Sequence, residues 1–239
     1  MKKNVILLFS VMLLLSAATA VAQDHKFEFK PFFGFTISSG VDTQPQAIPG
    51  NAEVDKISPK SSFSWGLQFD YLATQNFSLG FLFDQQLSKL RGHTTLNPGV
   101  GPNLPGAPGD VDFADLDVYN YHGVFTYNAG SEDAPIRPFF FGGLGATQYS
   151  PGDLYSLVQP FDGSGKINGA TKFSTTWGGG VKAFAGPHVG FQFMMRWTPT
   201  YIKTDASGVW CNPWWGCWVT GNDHYSHQLG FSGGLVLRF

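Results

Sequence analysis

The sequence predicts an all-β fold, an eight-stranded antiparallel up-and-down transmembrane β-barrel with short periplasmic turns and four long extracellular loops. Three observations support this prediction. Eight segments alternate apolar and polar residues, short and long connections follow one another regularly, and the last alternating segment ends on Phe239. A period of two places successive side chains on opposite faces of a strand. One apolar face and one polar face fit a wall between lipid and lumen.

The composition favours strands over helices. The 30 Gly and 15 Pro argue against long helices and for strands joined by turns. Only 13% of the residues are charged and the net charge is −2, so the chain has no basic field for nucleic acid, and we expect no nucleic-acid partner. The mean hydropathy of −0.06 agrees with a membrane barrel, because alternating strands average to a neutral value.

The N-terminus has the pattern of a secretory signal peptide. Lys2 and Lys3 form the charged region, residues 5–15 the apolar run, and Ala20-Val21-Ala22 the cleavage site. A membrane anchor is disfavoured because the apolar run is short and the cleavage pattern follows at once. We therefore expect residues 1–22 to be a cleaved signal peptide and residues 23–239 to form the barrel domain, located in the outer membrane of a Gram-negative-type bacterium.

The alternating segments set aromatic and aliphatic residues against polar ones. They lie at about residues 26–38, 63–72, 77–84, 119–128, 137–149, 173–183, 189–198 and 228–239. The fifth segment is rich in glycine, and its faces are not assigned. Short turns are predicted at residues 73–76, 129–136 and 185–188, and long loops at about 41–60, 92–115, 150–172 and 203–223. A soluble sandwich is disfavoured because it lacks this rhythm and needs a second sheet.

The inward face of a narrow barrel should be a packed polar core with paired charges. Asp84 and Arg196 are expected at similar depth, where they would meet across the lumen, and Arg238 should point inward toward Glu28. The predicted interior ion network comprises Glu28, Asp70, Asp84, Lys182, Arg196 and Arg238. A gated ion path and a structural network that plugs the barrel are both possible, and the sequence favours the plug.

Cys211 and Cys217 flank five residues in the last predicted loop, and in an exported protein this spacing predicts a disulfide. A metal site with His224 and His227 is disfavoured because the spacing does not match that of zinc ligands. The bridge would present four tryptophans, Trp210, Trp214, Trp215 and Trp218. They would form either a binding tip or an aromatic contact with the headgroup region, and both interpretations remain open.

Three stretches carry a family resemblance: residues 137–145 (RPFFFGGLG), residues 177–181 (WGGGV) and the terminal strand from Gly230 to Phe239. They resemble the small outer-membrane β-barrel family, which includes the OmpA transmembrane domain and its single-domain relatives. The resemblance implies that Phe239 belongs to a C-terminal signal read by the outer-membrane assembly machinery. We also expect a monomer with outer-membrane lipid and lipopolysaccharide as partners, and host surfaces, neighbouring surfaces or small ligands are alternative partners. Unlike OmpA, the chain is expected to lack a peptidoglycan-binding domain.

Catalysis is not expected. His224-Tyr225-Ser226 resembles the His-x-Ser of lipid A deacylases, but no Asp or Glu follows Ser226, where that family has its acid. Residues 163–166 (GSGK) lack the upstream glycine and the following Ser or Thr of a phosphate-binding loop. We expect no cofactor and no metal. The predicted role is structural or surface-interacting. The alternatives are a narrow channel or carrier for small hydrophobic solutes and, less favoured, a lipid A-modifying enzyme.

Overall fold

The computed structural model describes residues 25–48, 52–96, 109–132, 134–154, 169–202, 211–212, 216–217 and 224–239. The predicted signal peptide lies outside them. No helix in these ranges is long and apolar enough to cross a membrane. The described residues form twelve strands: β1 Phe27–Ser38, β2 Val41–Ile48, β3 Ala52–Pro59, β4 Ser62–Leu72, β5 Phe77–Leu96, β6 Gly109–Asn128, β7 Ile136–Leu154, β8 Ala170–Phe184, β9 Val189–Ile202, β10 Cys211–Asn212, β11 Gly216–Cys217 and β12 His224–Arg238.

Eight of these strands close into an antiparallel barrel, in the order β1, β4, β5, β6, β7, β8, β9 and β12. Closure is made by β1 and β12, which pair from Glu28↔Arg238 to Ser38↔Gln228. The predicted fold and the number of barrel strands are confirmed. Short connections at residues 73–76, 129–135 and 185–188 lie at one end, and the long connections lie at the other. In a membrane barrel these are the periplasmic and extracellular ends.

The predicted long loops are wrong in part, because strands extend into them. Val41–Ile48 and Ala52–Pro59 pair as the hairpin of β2 and β3, and β3 pairs with the outer part of β5. The β5–β6 ladder continues to Thr94↔Gly109. Continued pairing gives the backbone N–H and C=O groups partners beyond the wall, which weak side-chain alternation does not reveal. We call β2, β3 and the paired residues 88–96 and 109–116 the extracellular extension.

The wall alternates strictly between outward and inward side chains. The faces predicted for seven strands are confirmed, and the structure assigns the faces of the glycine-rich strand β7. On β7 the side chain of Phe140 is 67% exposed, whereas those of Phe139 and Phe141 are 2% and 5% exposed. Two of three consecutive phenylalanines therefore point into the lumen.

One seam of the wall has an interrupted ladder. Between β8 and β9 the paired residues are Ser174↔Thr200 and then Trp177↔Trp197, with no pair between them. Pro199 lies in this gap, and it has no N–H to donate. The inward hydroxyls of Thr176 and Thr198 lie 3.3 Å apart at the same place, so side chains bridge the missing backbone pairs.

Candidate functional site

The lumen contains three layers of side chains, and the layer nearest the periplasm is ionic. The carboxylate of Glu28 is fully buried and accepts from three cations. Lys182 Nζ lies at 2.5 Å, Lys30 Nζ at 3.2 Å and Arg238 Nη2 at 3.1 Å. Lys30 also forms an ion pair with Asp70. One carboxylate thus ties together side chains from β1, β8 and β12.

Register and small residues explain how this layer assembles. Glu28 stands opposite Asp70 on one neighbouring strand and opposite Arg238 on the other. A Cβ at Gly80 would lie 1.9 Å from Asp70 Oδ1, so glycine is required beside that carboxylate. The guanidinium of Arg238 lies 3.9 Å from the ring centroid of Phe184, which fixes its plane. The pairing of Arg238 with Glu28 is the one that the sequence predicts.

The middle layer is apolar, which corrects the expectation of a polar core throughout. It consists of Phe32, Leu82, Val124, Phe139, Phe141 and Met194, all buried. Inward glycines make room for its rings. A Cβ at Gly66 would lie 2.4 Å from Phe32 Cζ, and one at Gly178 would lie 2.6 Å from Phe141 Cε1. Each buried phenylalanine stabilises the fold by about 1.5–3 kcal/mol.

Cations stand on both sides of this apolar layer. Lys182 Nζ lies 5.4 Å from the ring centroid of Phe139 on the periplasmic side. On the other side the guanidinium of Arg196 lies 5.9 Å from the ring centroid of Phe32. Attraction between a cation and an aromatic face holds each ring against the neighbouring polar layer. These two contacts join the apolar layer to the layer on either side of it.

The third layer, toward the extracellular end, is a hydrogen-bonded network around one ion pair. Arg196 Nη2 lies 2.7 Å from Asp84 Oδ2, across the lumen from β9 to β5. Asn120 donates to Asp84 Oδ2 at 3.2 Å and to Gln228 Oε1 at 2.9 Å. The sequence-predicted contact of Asp84 with Arg196 is present, and Asn120 and Gln228 are partners that sequence reasoning missed.

A second chain of hydrogen bonds completes this layer. The Thr147 hydroxyl lies 2.6 Å from Asn120 Oδ1, 3.0 Å from Ser174 Oγ and 3.1 Å from Thr200 Oγ1. His122 Nε2 lies 2.9 Å from Ser174 Oγ. These contacts link β6, β7, β8 and β9, so the polar layer holds four strands of the wall together.

Above the polar layer, the inner face at the extracellular mouth is apolar again. The cluster consists of Leu90, Ala114, Leu116, Val118 and Tyr149, with Ile57 of the hairpin packed against it. All five are buried. The hairpin therefore packs against this apolar cluster through Ile57 and also pairs with the edge of β5.

Of the residues in the predicted disulfide loop, the structure describes only the backbone of residues 211–212 and 216–217. The backbone places Cys211 directly opposite Cys217 in the β10–β11 ladder. Their side chains lie outside the described part, so the disulfide stays a prediction. Trp210, Trp214, Trp215 and Trp218 also lie outside the described residues.

Phe239 closes the periplasmic rim. Its N–H donates to the Phe27 carbonyl at 3.0 Å, and its own carbonyl accepts from the N–H of Phe27 at 2.9 Å. Its ring lies 6.1 Å from that of Phe27. The terminal residue is thus anchored to the first strand, and its part in assembly stays a prediction.

The serine of the lipid-enzyme alternative does not face lipid. Ser226 is buried on the inward face of β12, and its hydroxyl donates to the Ser39 carbonyl at 3.2 Å. The side chain of His224 lies outside the description. A nucleophile that attacks membrane lipid would have to stand on the opposite face of the strand.

Sequence reasoning missed two buried basic residues near the periplasmic end and most of the apolar layer. Lys30 lies two residues after Glu28, so the alternation alone could have predicted that it points into the lumen. Arg137 was hidden because the faces of its strand were unassigned. Phe32 follows Pro31 and precedes Phe33, so it looks like part of an outward aromatic run.

Comparison with known proteins gives a fold and no sequence relative. No family model matches the sequence, and no curated protein is detectably similar to it. The solved structure of the outer membrane protein OprG from Pseudomonas aeruginosa has a TM-score of 0.58 and 16% identity, covering 92% of this chain and 99% of that one. At this identity the likeness shows the fold alone.

Two other solved barrels are similar at lower scores. Neisserial surface protein A has a TM-score of 0.49 and 15% identity, covering 89% of this chain and 97% of that one. The outer membrane protein AlkL has a TM-score of 0.45 and 13% identity, covering 92% and 93%. Because both TM-scores lie below 0.5, no further argument is based on these two structures.

Proposed function

We propose that this chain, which has the fold of the small eight-stranded outer-membrane barrels, is an integral outer-membrane protein with a structural or surface-interaction role and a closed lumen. The observation that carries the proposal is the layered interior. An ionic layer, an apolar layer and a polar layer fill the barrel in succession. Eight-stranded barrels have an interior that side chains can fill.

The apolar layer is the strongest argument against conduction. An ion that crosses it would leave water without gaining a polar partner, because Phe32, Phe139 and Phe141 occupy the section. Moving a charge into such surroundings is very unfavourable. The ion pairs on either side add further obstruction, since their partners would have to separate.

The extracellular extension supports the interaction role. It continues the barrel sheet beyond the wall, with β3 paired to β5 and the hairpin packed on the mouth cluster. On the outer wall, Trp197 and Tyr225 both stack on His227, with ring centroids 5.7 Å and 6.3 Å away. Aromatic side chains of this kind favour the headgroup level of a membrane. We propose lipopolysaccharide as the lipid partner at this level and assembly as a monomer.

Two measurements test the proposal. Liposomes that contain the purified barrel should not swell in arabinose, whereas a closed-lumen role would be refuted by swelling comparable to that of a porin. For the interaction role, residues 41–59 are replaced by a short Gly-Ser linker. Cells carrying the variant should insert normal amounts of barrel but attach less to immobilised lipopolysaccharide. Equal attachment by both strains would count against the extension as the contact surface.

A second candidate function is a carrier for small hydrophobic solutes, favoured by the apolar mouth cluster. A solute of this class would enter among Leu90, Leu116 and Val118. Proteoliposomes with wild-type barrel would then take up a labelled alkane faster than those with Leu116→Asn. Identical rates for the two would remove this candidate and leave the closed barrel.

A further inference from the structure

The buried charges of the lumen do not balance. Among the residues that the structure describes, five basic side chains and three acidic ones are buried there. They are Lys30, Arg137, Lys182, Arg196 and Arg238 against Glu28, Asp70 and Asp84. With the carboxylates ionised and the basic groups protonated, the lumen carries a net charge of +2. Buried charge without a counter-charge is strongly unfavourable, so the interior calls for an additional anion.

The position of the excess charge can be located from the ion pairs. Glu28 forms ion pairs with Lys30, Lys182 and Arg238. Asp84 forms one with Arg196. No ion pair joins Arg137 to a carboxylate in the described part of the chain.

Among the described residues, Arg137 forms a side-chain hydrogen bond through one nitrogen only. Its Nη2 donates to the Gln75 carbonyl at 2.6 Å, on a periplasmic turn. Its buried Nε has no hydrogen-bond partner among the described residues. A guanidinium that is buried and unpaired on one side presents both a charge and a free donor to the lumen.

A second orphan donor lies beside it. Asn128 pairs with Phe139, so its inward side chain lies diagonally across from that of Arg137. Its Oδ1 accepts from Lys182 Nζ at 2.7 Å, while its buried Nδ2 has no partner in the described chain. Lys182 in turn stands directly opposite Arg137. Asn128, Arg137 and Lys182 thus lie at neighbouring inward positions of three consecutive strands.

We propose that the periplasmic end of the lumen binds a small inorganic anion of the chloride class, held by Arg137 Nε and Asn128 Nδ2 next to Lys182. Arg137 Nε and Asn128 Nδ2 are both donors, so neither would bind a metal cation. Charge-assisted hydrogen bonds to an anion are roughly twice as strong as those between neutral groups, and a monoatomic anion can accept from both donors. The nearest rival is the carboxylate of Glu132, whose backbone carbonyl accepts from Arg238 Nη1 at 3.5 Å.

The test is anomalous diffraction from the purified full-length barrel crystallised in sodium bromide. A bromide peak is expected within hydrogen-bond distance of Arg137 and Asn128. The peak should persist in the control Arg91→Gln, an extracellular arginine, and disappear in Arg137→Gln. A wild-type map that shows only water there, or the Glu132 carboxylate seated on Arg137, would overturn the proposal. So would a peak that survives in Arg137→Gln.

A solution measurement keeps the test independent of crystals. The unfolding midpoint in bromide is compared with that in gluconate at equal ionic strength, since gluconate is too large for the site. Wild type and Arg91→Gln should unfold at higher temperature in bromide, because a ligand that binds only the folded state stabilises it. Arg137→Gln should lack this increment and show only the general difference between the two salts, which act on the protein surface as well. An equal bromide effect in all three proteins refutes the site, and if Arg137→Gln does not fold, the wild-type map decides.

Discussion

The molecule contains two clusters of ion pairs that use the same chemistry at opposite degrees of exposure. In the lumen, Glu28 and its cationic partners are 0–3% exposed. In the extracellular extension, Arg91 contacts Asp112 at 3.0 Å and Asp110 at 3.2 Å, with side chains 23–51% exposed. Distances in the two clusters overlap, so geometry alone does not distinguish them.

Burial does distinguish them. In water-exposed pairs the gain from attraction is nearly offset by screening and lost side-chain entropy, and the net contribution is about 0–1 kcal/mol. In the lumen, removing one partner leaves the others buried without a counter-charge. The luminal layer should therefore determine whether the barrel closes, and the extension should respond to conditions outside the cell.

The largest effect is expected from Glu28→Gln, which leaves three buried cations around a neutral amide. The loss should be about 3–5 kcal/mol, the cost of removing one partner from a buried ion pair. Urea unfolding of the barrel in micelles measures it. Asp153→Asn, at an exposed position near the extracellular end of β7, is the control and should change little. A Glu28 variant as stable as this control would contradict the account of the luminal layer.

A smaller effect is expected where a glycine makes room for the apolar layer. Gly178→Ala would place a methyl group 2.6 Å from Phe141 Cε1 and 2.4 Å from the Met195 carbonyl. Overpacking of this kind costs about 1–3 kcal/mol. Gly186→Ala is the control, because nothing lies within 4 Å of the added carbon there. Equal unfolding free energies for the two variants would show that the layer is loosely packed.

The smallest effect on global stability is expected from Asp112→Asn in the extension. It removes a partner of both Arg91 and Lys60, whose atoms lie 3.0 Å and 3.1 Å away. Because these side chains are partly exposed, the loss should be at most about 1 kcal/mol. The same urea experiment serves as the readout, and a loss as large as that of Glu28→Gln would remove the distinction between the clusters.

The extension should also respond to acid. The hydrogen bond from His93 and the charge of Arg91 hold the pKa of Asp110 below its ordinary value. Burial raises the pKa of Asp112, but the hydrogen bonds of Arg91 and Lys60 outweigh it, and the net shift is downward. A lowered folded-state pKa means stabilisation that is complete above the unfolded value of about 3.9 and lost as the pH falls through the folded value.

Hydrogen exchange, corrected for its intrinsic pH dependence, measures this response. Between pH 6 and pH 3 the amides of residues 91–96 and 109–112 should lose protection, while those of the barrel wall keep it. Asp112→Asn should show reduced protection already at pH 6. Protection of the extension that does not change with pH would contradict the assignment of these carboxylates.

Much of the barrel follows from the sequence, because alternation carries the information directly. Glu28, Asp84, Arg196 and Arg238 have inward parity, and counting residues from the turns places Asp84 and Arg196 at one depth. A period of two is a local property of the chain, so eight barrel strands and most faces could be predicted without knowing their partners.

The apolar layer could not be predicted in the same way. Phe139, Phe140 and Phe141 are chemically equivalent in the sequence, and only the register of β7 decides which of them enters the lumen. The space for each inward ring depends on glycines of neighbouring strands, such as Gly178 beside Phe141. The extracellular extension could not be predicted for a related reason. Its hairpin is specified by pairing with β5 rather than by its own alternation.

The most direct test of the closed lumen is conductance across a planar bilayer. Wild-type barrel should show no large steady openings. A double variant, Phe139→Ala with Phe141→Ala, should open, and its current should be carried mainly by anions because more basic than acidic side chains are buried in the described lumen. Large steady openings of the wild-type protein, with the apolar layer intact, would contradict the account.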